Sequence, residues 1–486
     1  IVLVPEISLT PQTVERFRGR FGDCVAVLHS HLSDGERHDE WHRIHDGRAR
    51  IAIGARSALF APVQPLGLIV VDEEHEHSYK QEEAPRYHAR DVAVMRGLRE
   101  GCPVVLGSAT PSLESWKNAA IGKYLLAQMS HRVDHRSMPV IRIVDMRGET
   151  AREGRAHVLS RDLTHAIAER LSRGEQTILF LNRRGFSSSL ICPKCGYVAR
   201  CSHCSISLTY HKKSQRLLCH LCGAEGPVPV LCPDPNCRDP AIRYAGVGTE
   251  RIEEILGRVF PRARVARMDS DTMTRKEAYR ETLGAFRTGR LDILVGTQMI
   301  AKGLDFPNVT LVGVVHADLS LHIPDFRAGE RTFQMLTQVA GRAGRGDLAG
   351  EVIIQTHTPF HPAIQAARRM DWDGFCDQEL EFRKELGYPP YAHLVCVTLK
   401  GEVEDIVRTA AENLHAVWSA RADPACNLSP VNQAPIARIQ GRFRYQILAR
   451  ALRTSQVTKS LRTALSEWKP PKGVQWTVDV DALSLQ

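Results

Sequence analysis

Leu68-Ile69-Val70-Val71-Asp72-Glu73-Glu74-His75 is the stretch whose reading decides the fold. A short apolar run, mostly β-branched and ending abruptly in charge, reads as a strand buried on both faces of a parallel sheet. Ligands of such sheets bind beyond the carboxyl ends of the strands. The run therefore delivers its carboxylates to a site. Asp72 is placed to hold a hydrated Mg²⁺ on nucleotide phosphates, since Mg²⁺ keeps several waters and needs few protein ligands. Glu73 is placed to orient or deprotonate an attacking water. A solvated acidic loop after a strand is the plain alternative, and only the neighbouring motifs decide between the two.

Working outward, similar runs recur at Ile1–Val4, Val25–Leu28, Ile51–Ile53 and Val104–Leu106, separated by polar, helix-compatible stretches. That alternation predicts an α/β domain around a parallel sheet. A second block begins near Leu159, with strands predicted at Thr177–Leu181, Val265–Met268, Ile293–Val295, Val309–Val315 and Val352–Gln355. Residues from about 129 to 158, rich in Arg, His and Gly, read as a connector. After Thr356 the pattern changes to helices around 362–386 and then to strand-like pieces. Tyr388-Pro389-Pro390-Tyr391 marks the boundary.

Two further strand ends carry polar boxes. Gly107-Ser108-Ala109-Thr110 follows Val104–Leu106 and can hydrogen-bond the acidic cluster. Gly296-Thr297-Gln298-Met299-Ile300-Ala301-Lys302-Gly303-Leu304-Asp305-Phe306 follows a strand of the second block. Beyond it, Gln338-Val339-Ala340-Gly341-Arg342-Ala343-Gly344-Arg345-Gly346 places two arginines three apart, a spacing that puts both on one side of a helix. Guanidinium groups there can stabilise charge developing on a γ-phosphate. A basic helix end at the surface is the plain alternative.

The chain has 486 residues, 43% hydrophobic and 24% charged, with a formal charge of +9. That composition is ordinary for a globular protein of several domains, and the charge agrees with a polyanion partner without demanding one. No apolar run is long enough to span a bilayer, and no secretory signal is visible. The expected location is cytoplasmic, with no membrane partner. Of the 13 cysteines, eight fall between Cys192 and Cys237, spaced Cys192-x₂-Cys195, Cys201-x₂-Cys204, Cys219-x₂-Cys222 and Cys232-x₄-Cys237. Each pair can turn two thiolates toward one metal, so four pairs supply two tetrahedral Cys₄ zinc sites of structural type. A nested pairing joins Cys201, Cys204, Cys219 and Cys222 in one site and Cys192, Cys195, Cys232 and Cys237 in the other. A sequential pairing is the rival that spacing leaves open.

Taken together and in this order, the acidic box, the Ser-Ala-Thr box, the Gly-Thr-Gln…Gly-Leu-Asp box and the Gln-x-x-Gly-Arg-x-Gly-Arg box resemble those of two-lobed superfamily 2 helicases. With the cysteine framework, the chain resembles the bacterial primosomal protein N′ (PriA) family of replication-restart DNA helicases. Further matching stretches are Val4–Gln12, Ile53–Phe60, Ser78–Gln81, Arg86–Asp91, Phe180–Phe186, Gly246–Glu250, Gly441–Gln446 and Trp476–Asp481. The resemblance implies two RecA-like lobes, a double-zinc insertion in the second and a C-terminal α+β domain. The corresponding segments are a partial first lobe at 1–128 and a connector with the start of lobe two at 129–190. The zinc insertion follows at 191–242, the rest of lobe two at 243–357 and the C-terminal domain at 358–486.

By the same resemblance the ATP lies between the lobes. Asp72 and Glu73 are then the catalytic acidic pair on Mg²⁺, and Gln338, Arg342 and Arg345 lie near the γ-phosphate. Gly303 and Asp305 belong to the nucleotide site. The Ser78–Tyr87 segment resembles an aromatic-rich loop that couples DNA binding to hydrolysis: Tyr79 and Tyr87 can stack on bases, and Lys80, Arg86 and the nearby Arg90 can meet phosphates, with plain loop packing as the alternative. Thr10, Gln12, Arg56 and Ser57 match positions on the DNA track. The activity implied is ATP-dependent 3′ to 5′ unwinding at stalled or abandoned forks and D-loops, feeding primosome assembly. The implied partners are forked and single-stranded DNA, primosome proteins and single-stranded DNA-binding protein, and the cofactors are two Zn²⁺, ATP and Mg²⁺. A non-catalytic primosome scaffold is the alternative.

Two departures from the family pattern stand out. The Gly-rich phosphate loop ending in Lys-Ser/Thr is missing upstream of the opening strand. Because Ile1 already lies within an apolar run, the expectation is an N-terminally truncated sequence whose fork-binding segment and phosphate loop lie elsewhere in the gene. In this form the fragment is expected to be inactive alone. Cys232 and Cys237 are also separated by four residues where two are usual.

Overall fold

The computed structural model of the chain describes residues 1–5, 11–30, 32–129, 138–153, 157–181, 189–211, 215–240, 243–244, 249–269, 276–297, 300, 306–344 and 349–485. Contacts divide the chain into two compact units, one containing Ile1–Met129 and the other drawn from Ser130–Gln298 and Phe306–Gln486.

In the first unit, β1 (Val2–Leu3), β2 (Val25–Leu28), β3 (Ile51–Gly54), β4 (Ile69–Asp72) and β5 (Val104–Gly107) form a parallel sheet in the order β2-β3-β1-β4-β5. Leu3, Ala52, Ile53, Ile69 and Val71 are fully buried, as apolar runs in a two-sided parallel sheet require. Ser33 opens the helix Asp34–His45 with a capping box to Glu36, and Ser112 caps Leu113–Ala120 through Ser115 N–H. The helix Ala89–Glu100 ends on Gly101 at φ 70°.

The second unit is larger. Its strands β6 (Val140–Asp145) and β7 (Gln176–Phe180) precede the cysteine-rich segment. That segment carries the short strands β8 (Leu190–Ile191), β9 (Thr209–His211), β10 (Arg216–Leu218), β11 (Glu225–Pro227) and β12 (Arg243–Tyr244). Then follow β13 (Val265–Met268), β14 (Ile293–Gly296), β15 (Val309–Val314) and β16 (Glu351–Thr356). The lobe sheet is six-stranded and wholly parallel, in the order β13-β14-β7-β15-β16-β6.

β6 corrects the expectation of a bare connector between 129 and 158. It pairs along its whole length with β16 and closes the sheet edge. Ile141 and Val144 are buried, whereas Val140 is exposed and Arg142 reaches Asp162 and Glu351. Ile141 and Val144 point to opposite faces, so burial here does not alternate strictly; the arginine inside the run concealed the strand.

The C-terminal domain is an antiparallel sheet. Its strands are β17 (His393–Gly401), β18 (Asn427–Leu428), β19 (Asn432–Ile439), β20 (Arg442–Ala451) and β21 (Gln475–Val480). They run β18-β20-β17-β21, with β19 also on β20. Helices Glu404–Ser419 and Thr454–Glu467 cover one face, burying Val407, Leu414, Trp418 and Leu461 against Val395, Val397 and Ile447. The Trp418 indole N–H donates to Ser460 Oγ at 3.1 Å and ties the two helices together. Upstream, the fully buried Arg383 donates to Glu330 at 2.7 Å and Glu379 at 3.1 Å, which joins the helices Ala328–Ala340 and Trp372–Glu385. No helix of the described residues is long and apolar enough to cross a membrane.

Candidate functional site

The acidic box sits where the sheet geometry puts it. Asp72 is the last residue of β4 and pairs in register with Gly107, the last residue of β5. Glu73 then turns the chain sharply with φ 46°, a left-handed conformation unusual for a residue with a side chain. Strain of this kind persists where packing holds it, and functional sites are where it clusters. Partial desolvation, followed by the adjacent Glu73 charge, raises the Asp72 carboxyl above its usual value. A cation placed between the two carboxylates would relieve that repulsion.

The turn is anchored by a residue that sequence reasoning missed. Glu74 is buried and accepts from Ser112 N–H at 2.6 Å, Ser115 Oγ at 3.0 Å, Ser112 Oγ at 3.1 Å and Arg90 Nη1 at 3.1 Å. Arg90 also donates to Ser112 Oγ at 2.6 Å and to Asp91 at 3.0 Å. The Ser-Ala-Thr box joins the same assembly: Ser108 Oγ lies 2.7 Å from His75 Nδ1 and accepts from Thr110 N–H at 3.0 Å. Thus Ser108, just past β5, meets the acidic box at His75 and not at the carboxylates that the sequence reading expected. The one sequence signal for Glu74 was a third consecutive acid after an apolar strand.

The aromatic-rich loop requires corrections. Tyr79 is fully buried, and its hydroxyl donates to the Asp72 carbonyl at 2.7 Å. It packs beneath the acidic box and is not available to stack on a base. Lys80 is 9% exposed and forms a β-bridge with His88. Arg90, 8% exposed, is committed to Glu74 and Asp91, so it does not present a phosphate contact either. Tyr87 and Arg86 are half-buried, and Tyr87 meets Phe60 edge-on at 5.3 Å. Arg56 spans the loop, donating to the carbonyls of Lys80 at 2.9 Å and Ser78 at 3.3 Å, while Ser57 beside it is exposed. Thr10 lies outside the described residues, as does the side chain of Gln12.

In the second unit the helix Ala328–Ala340 carries Gln338 on its last turn. The Gln338 amide nitrogen is buried and has no hydrogen-bond partner among the described residues, nor does Thr337 Oγ1 one residue before it. An orphaned buried donor is costly, so such a group awaits a ligand or water. Arg342 falls beyond the end of the helix, in a turn that its own N–H closes on Val339 O at 3.0 Å. That corrects the idea of two arginines along one helix face. Arg345, Gly303 and Asp305 lie outside the described residues.

The eight clustered cysteines form two sets, Cys192, Cys195, Cys232 and Cys237, and Cys201, Cys204, Cys219 and Cys222. Within each set the sulfurs lie within 4.8 Å of one another. A zinc–sulfur bond of about 2.3 Å puts tetrahedral sulfurs roughly 3.8 Å apart. Cys192–Cys237 at 3.8 Å, Cys201–Cys222 at 3.6 Å and Cys195–Cys232 at 3.4 Å agree with that spacing. The arrangement is the nested one, which removes the sequential rival.

The short pairs share one turn. Gly196, Ser205 and Gly223 each donate their N–H to the carbonyl of the first cysteine, at positive φ. Glycine suits that conformation, and Ser205 adopts it at 54°. The longer Cys232–Cys237 turn is held by Asp234, whose carboxylate accepts from Asn236 N–H and whose carbonyl accepts from Cys237 N–H. Four intervening residues therefore still deliver both sulfurs. The inner set packs on the C-terminal domain, with Leu221 and Ile206 in one apolar cluster with Tyr388, Leu394 and Leu448.

Family models match four successive segments: DEAD/DEAH box helicase at 1–119, PriA DNA helicase Cys-rich region (CRR) domain at 201–227, helicase conserved C-terminal domain at 245–347 and primosomal protein N C-terminal domain at 384–483. The chain is similar to proteins named replication restart protein PriA. It is 52% identical to that of Bacillus subtilis over 96% of this chain and 58% of the relative. It is 44% identical to that of Chlamydia pneumoniae over 100% of this chain and 65% of the relative. With that of Treponema pallidum it shares 43% identity over 100% of this chain and 72% of the relative. The chain thus spans less than two thirds of the length of the first two.

Proposed function

Since the chain belongs to the replication restart protein PriA family, we propose that it supplies the motor and zinc portions of an ATP-dependent DNA helicase acting in replication restart. The observation that carries the reading is the acidic box at the carboxyl end of β4. A strained Glu73 follows Asp72 there, Ser108 of the neighbouring strand end contacts His75, and Glu74 fixes the turn from below. In this reading Asp72 holds Mg²⁺ on the phosphates of ATP, and Glu73 aligns and deprotonates the attacking water. Gln338, whose amide nitrogen lacks a partner among the described residues, and Arg342 with Arg345 meet the γ-phosphate. Gly303 and Asp305 line the nucleotide. The two Cys₄ sets hold two structural zinc ions, which stabilise a segment of small strands that folds poorly without them.

The substrate proposed is forked, single-stranded or D-loop DNA, tracked in the 3′ to 5′ direction, with primosome proteins and single-stranded DNA-binding protein as partners in the cytoplasm. Thr10, Gln12, Arg56, Ser57, Arg86 and Tyr87 are the residues of this chain proposed to meet DNA. The test is strand displacement on forked substrates by the protein encoded by the complete gene, with ATP and Mg²⁺. Unwinding that needs ATP and a 3′ single-stranded tail supports the reading. DNA binding without any ATP-dependent displacement points instead to the scaffold alternative and overturns it.

A further inference from the structure

A second constellation with metal-ligand chemistry lies well away from the cysteines in sequence. His316 follows β15, His357 follows the neighbouring parallel strand β16, and Asp318 begins the short helix Asp318–Leu321. The sheet thus brings three ligand-type side chains to the carboxyl ends of two adjacent strands, where open α/β sheets place their ligands. One ligand atom from each lies within 4.8 Å of the other two.

The distances suit a metal site. Asp318 Oδ2 is 3.4 Å from His316 Nδ1 and 3.5 Å from His357 Nδ1. Both are long for a charge-assisted hydrogen bond, which settles near about 2.7–2.9 Å. They match the edge of a tetrahedron whose metal–nitrogen and metal–oxygen bonds are about 2.0–2.2 Å, roughly 3.4 Å. Both Nδ1 atoms are buried and have no hydrogen-bond partner among the described residues. Two orphaned imidazole nitrogens aimed near one carboxylate oxygen are anomalous as packing and natural as ligands.

The carboxylate is also held as metal-binding carboxylates are. Asp318 is fully buried, its Oδ1 accepting from Thr358 Oγ1 at 2.6 Å and Thr356 Oγ1 at 2.9 Å, its Oδ2 from His357 N–H at 2.9 Å. Such outer contacts orient a ligand before the ion arrives. The two histidine side chains keep 12% and 13% exposure, which leaves a route for the ion and for one water. Gly196, in the turn of the outer cysteine set, abuts the site: a Cβ there would lie 2.2 Å from the His357 carbonyl oxygen.

We propose that His316 Nδ1, His357 Nδ1 and Asp318 Oδ2 form a third metal site that binds a divalent transition-metal ion of zinc type, with a water in the fourth position. Imidazole with carboxylate selects zinc-like ions over Mg²⁺ and Ca²⁺, which take oxygen ligands. The inference concerns residues outside the motor motifs and stands apart from the proposed activity.

The test is metal uptake by the whole protein, saturated with Co²⁺ and then desalted. Zinc plus cobalt is expected to reach three ions per chain, one beyond the two cysteine sets. The additional cobalt should show visible d–d absorption without thiolate charge transfer. H316Q and H357Q, made singly and together, are expected to weaken that uptake at least about ten-fold. An undisturbed content of the cysteine sites certifies their folding. Two ions in the wild type, or the same third ion retained in the double variant, overturns the proposal.

Discussion

The Tyr79 hydroxyl donates a 2.7 Å hydrogen bond to the main-chain carbonyl of Asp72, from a side chain with no solvent exposure. A tyrosine that resembles a base-stacking residue in the sequence is therefore a strut under the acidic end of β4. Tyr79→Phe keeps the ring and removes only this bond. Its expected cost is about 0.5–1.5 kcal/mol in urea unfolding. DNA affinity should stay unchanged, whereas a base-stacking role would survive loss of the hydroxyl with no stability cost.

Glu74 is the buried counter-charge of Arg90 and the acceptor for Ser112 and Ser115. Glu74→Ala strands a guanidinium in the interior with the more exposed Asp91 and the charge of Glu114 left to face it. Removing one member of such a pair typically costs about 3–5 kcal/mol. Chemical denaturation should show a loss in that range. A change below about 0.5 kcal/mol, typical of an exposed pair, would remove Glu74 from its place as the anchor of the turn.

His88 caps the helix Ala89–Glu100 by accepting from Arg90 N–H at its Nδ1, which requires a neutral ring. Burial first, and then the charge of Arg90, push its pKa down to about 3. In the unfolded chain an imidazole titrates near about 6.5. Between those values the unfolded state binds the proton that the folded state refuses, so stability falls as pH falls below about 6.5. His88→Asn retains a capping oxygen and removes this titration. The wild type should lose stability from pH 7 to pH 5 more steeply than His88→Asn; parallel profiles would refute the assignment.

The nested sulfurs predict which cysteines act together. Cys201→Ser and Cys222→Ser should each abolish the same zinc site and, because Leu221 and Ile206 pack on Tyr388 and Leu394, loosen the C-terminal domain. Cys192→Ser and Cys237→Ser should abolish the other. Zinc content of the double variants checks this. Cys201→Ser with Cys222→Ser should lose one ion, and Cys201→Ser with Cys237→Ser should lose two. Loss of two ions in Cys201→Ser with Cys222→Ser would contradict the nested pairing.

The strand ends were legible because buried parallel strands are solid apolar runs, and Asp72 and Glu73 followed directly from one of them. Cysteine spacing spoke plainly for metal, whereas pairing depended on where each turn points. What stayed hidden was non-local. Glu74 meets Ser112 from 38 residues away, and Asp318 meets His357 from 39. Tyr79 misled because a tyrosine in a basic loop has the same sequence appearance whether it faces a base or a core. β6 hid behind Arg142, which interrupts its apolar run.

The central claim is that this acidic box drives ATP hydrolysis. Its most direct test is DNA-stimulated ATPase activity of the protein encoded by the complete gene beside its Glu73→Gln variant. If Glu73 activates the attacking water, as proposed, Glu73→Gln is expected to lower turnover about 10²–10⁴-fold, with Mg²⁺-nucleotide binding retained. Equal turnover in the two proteins would contradict the account.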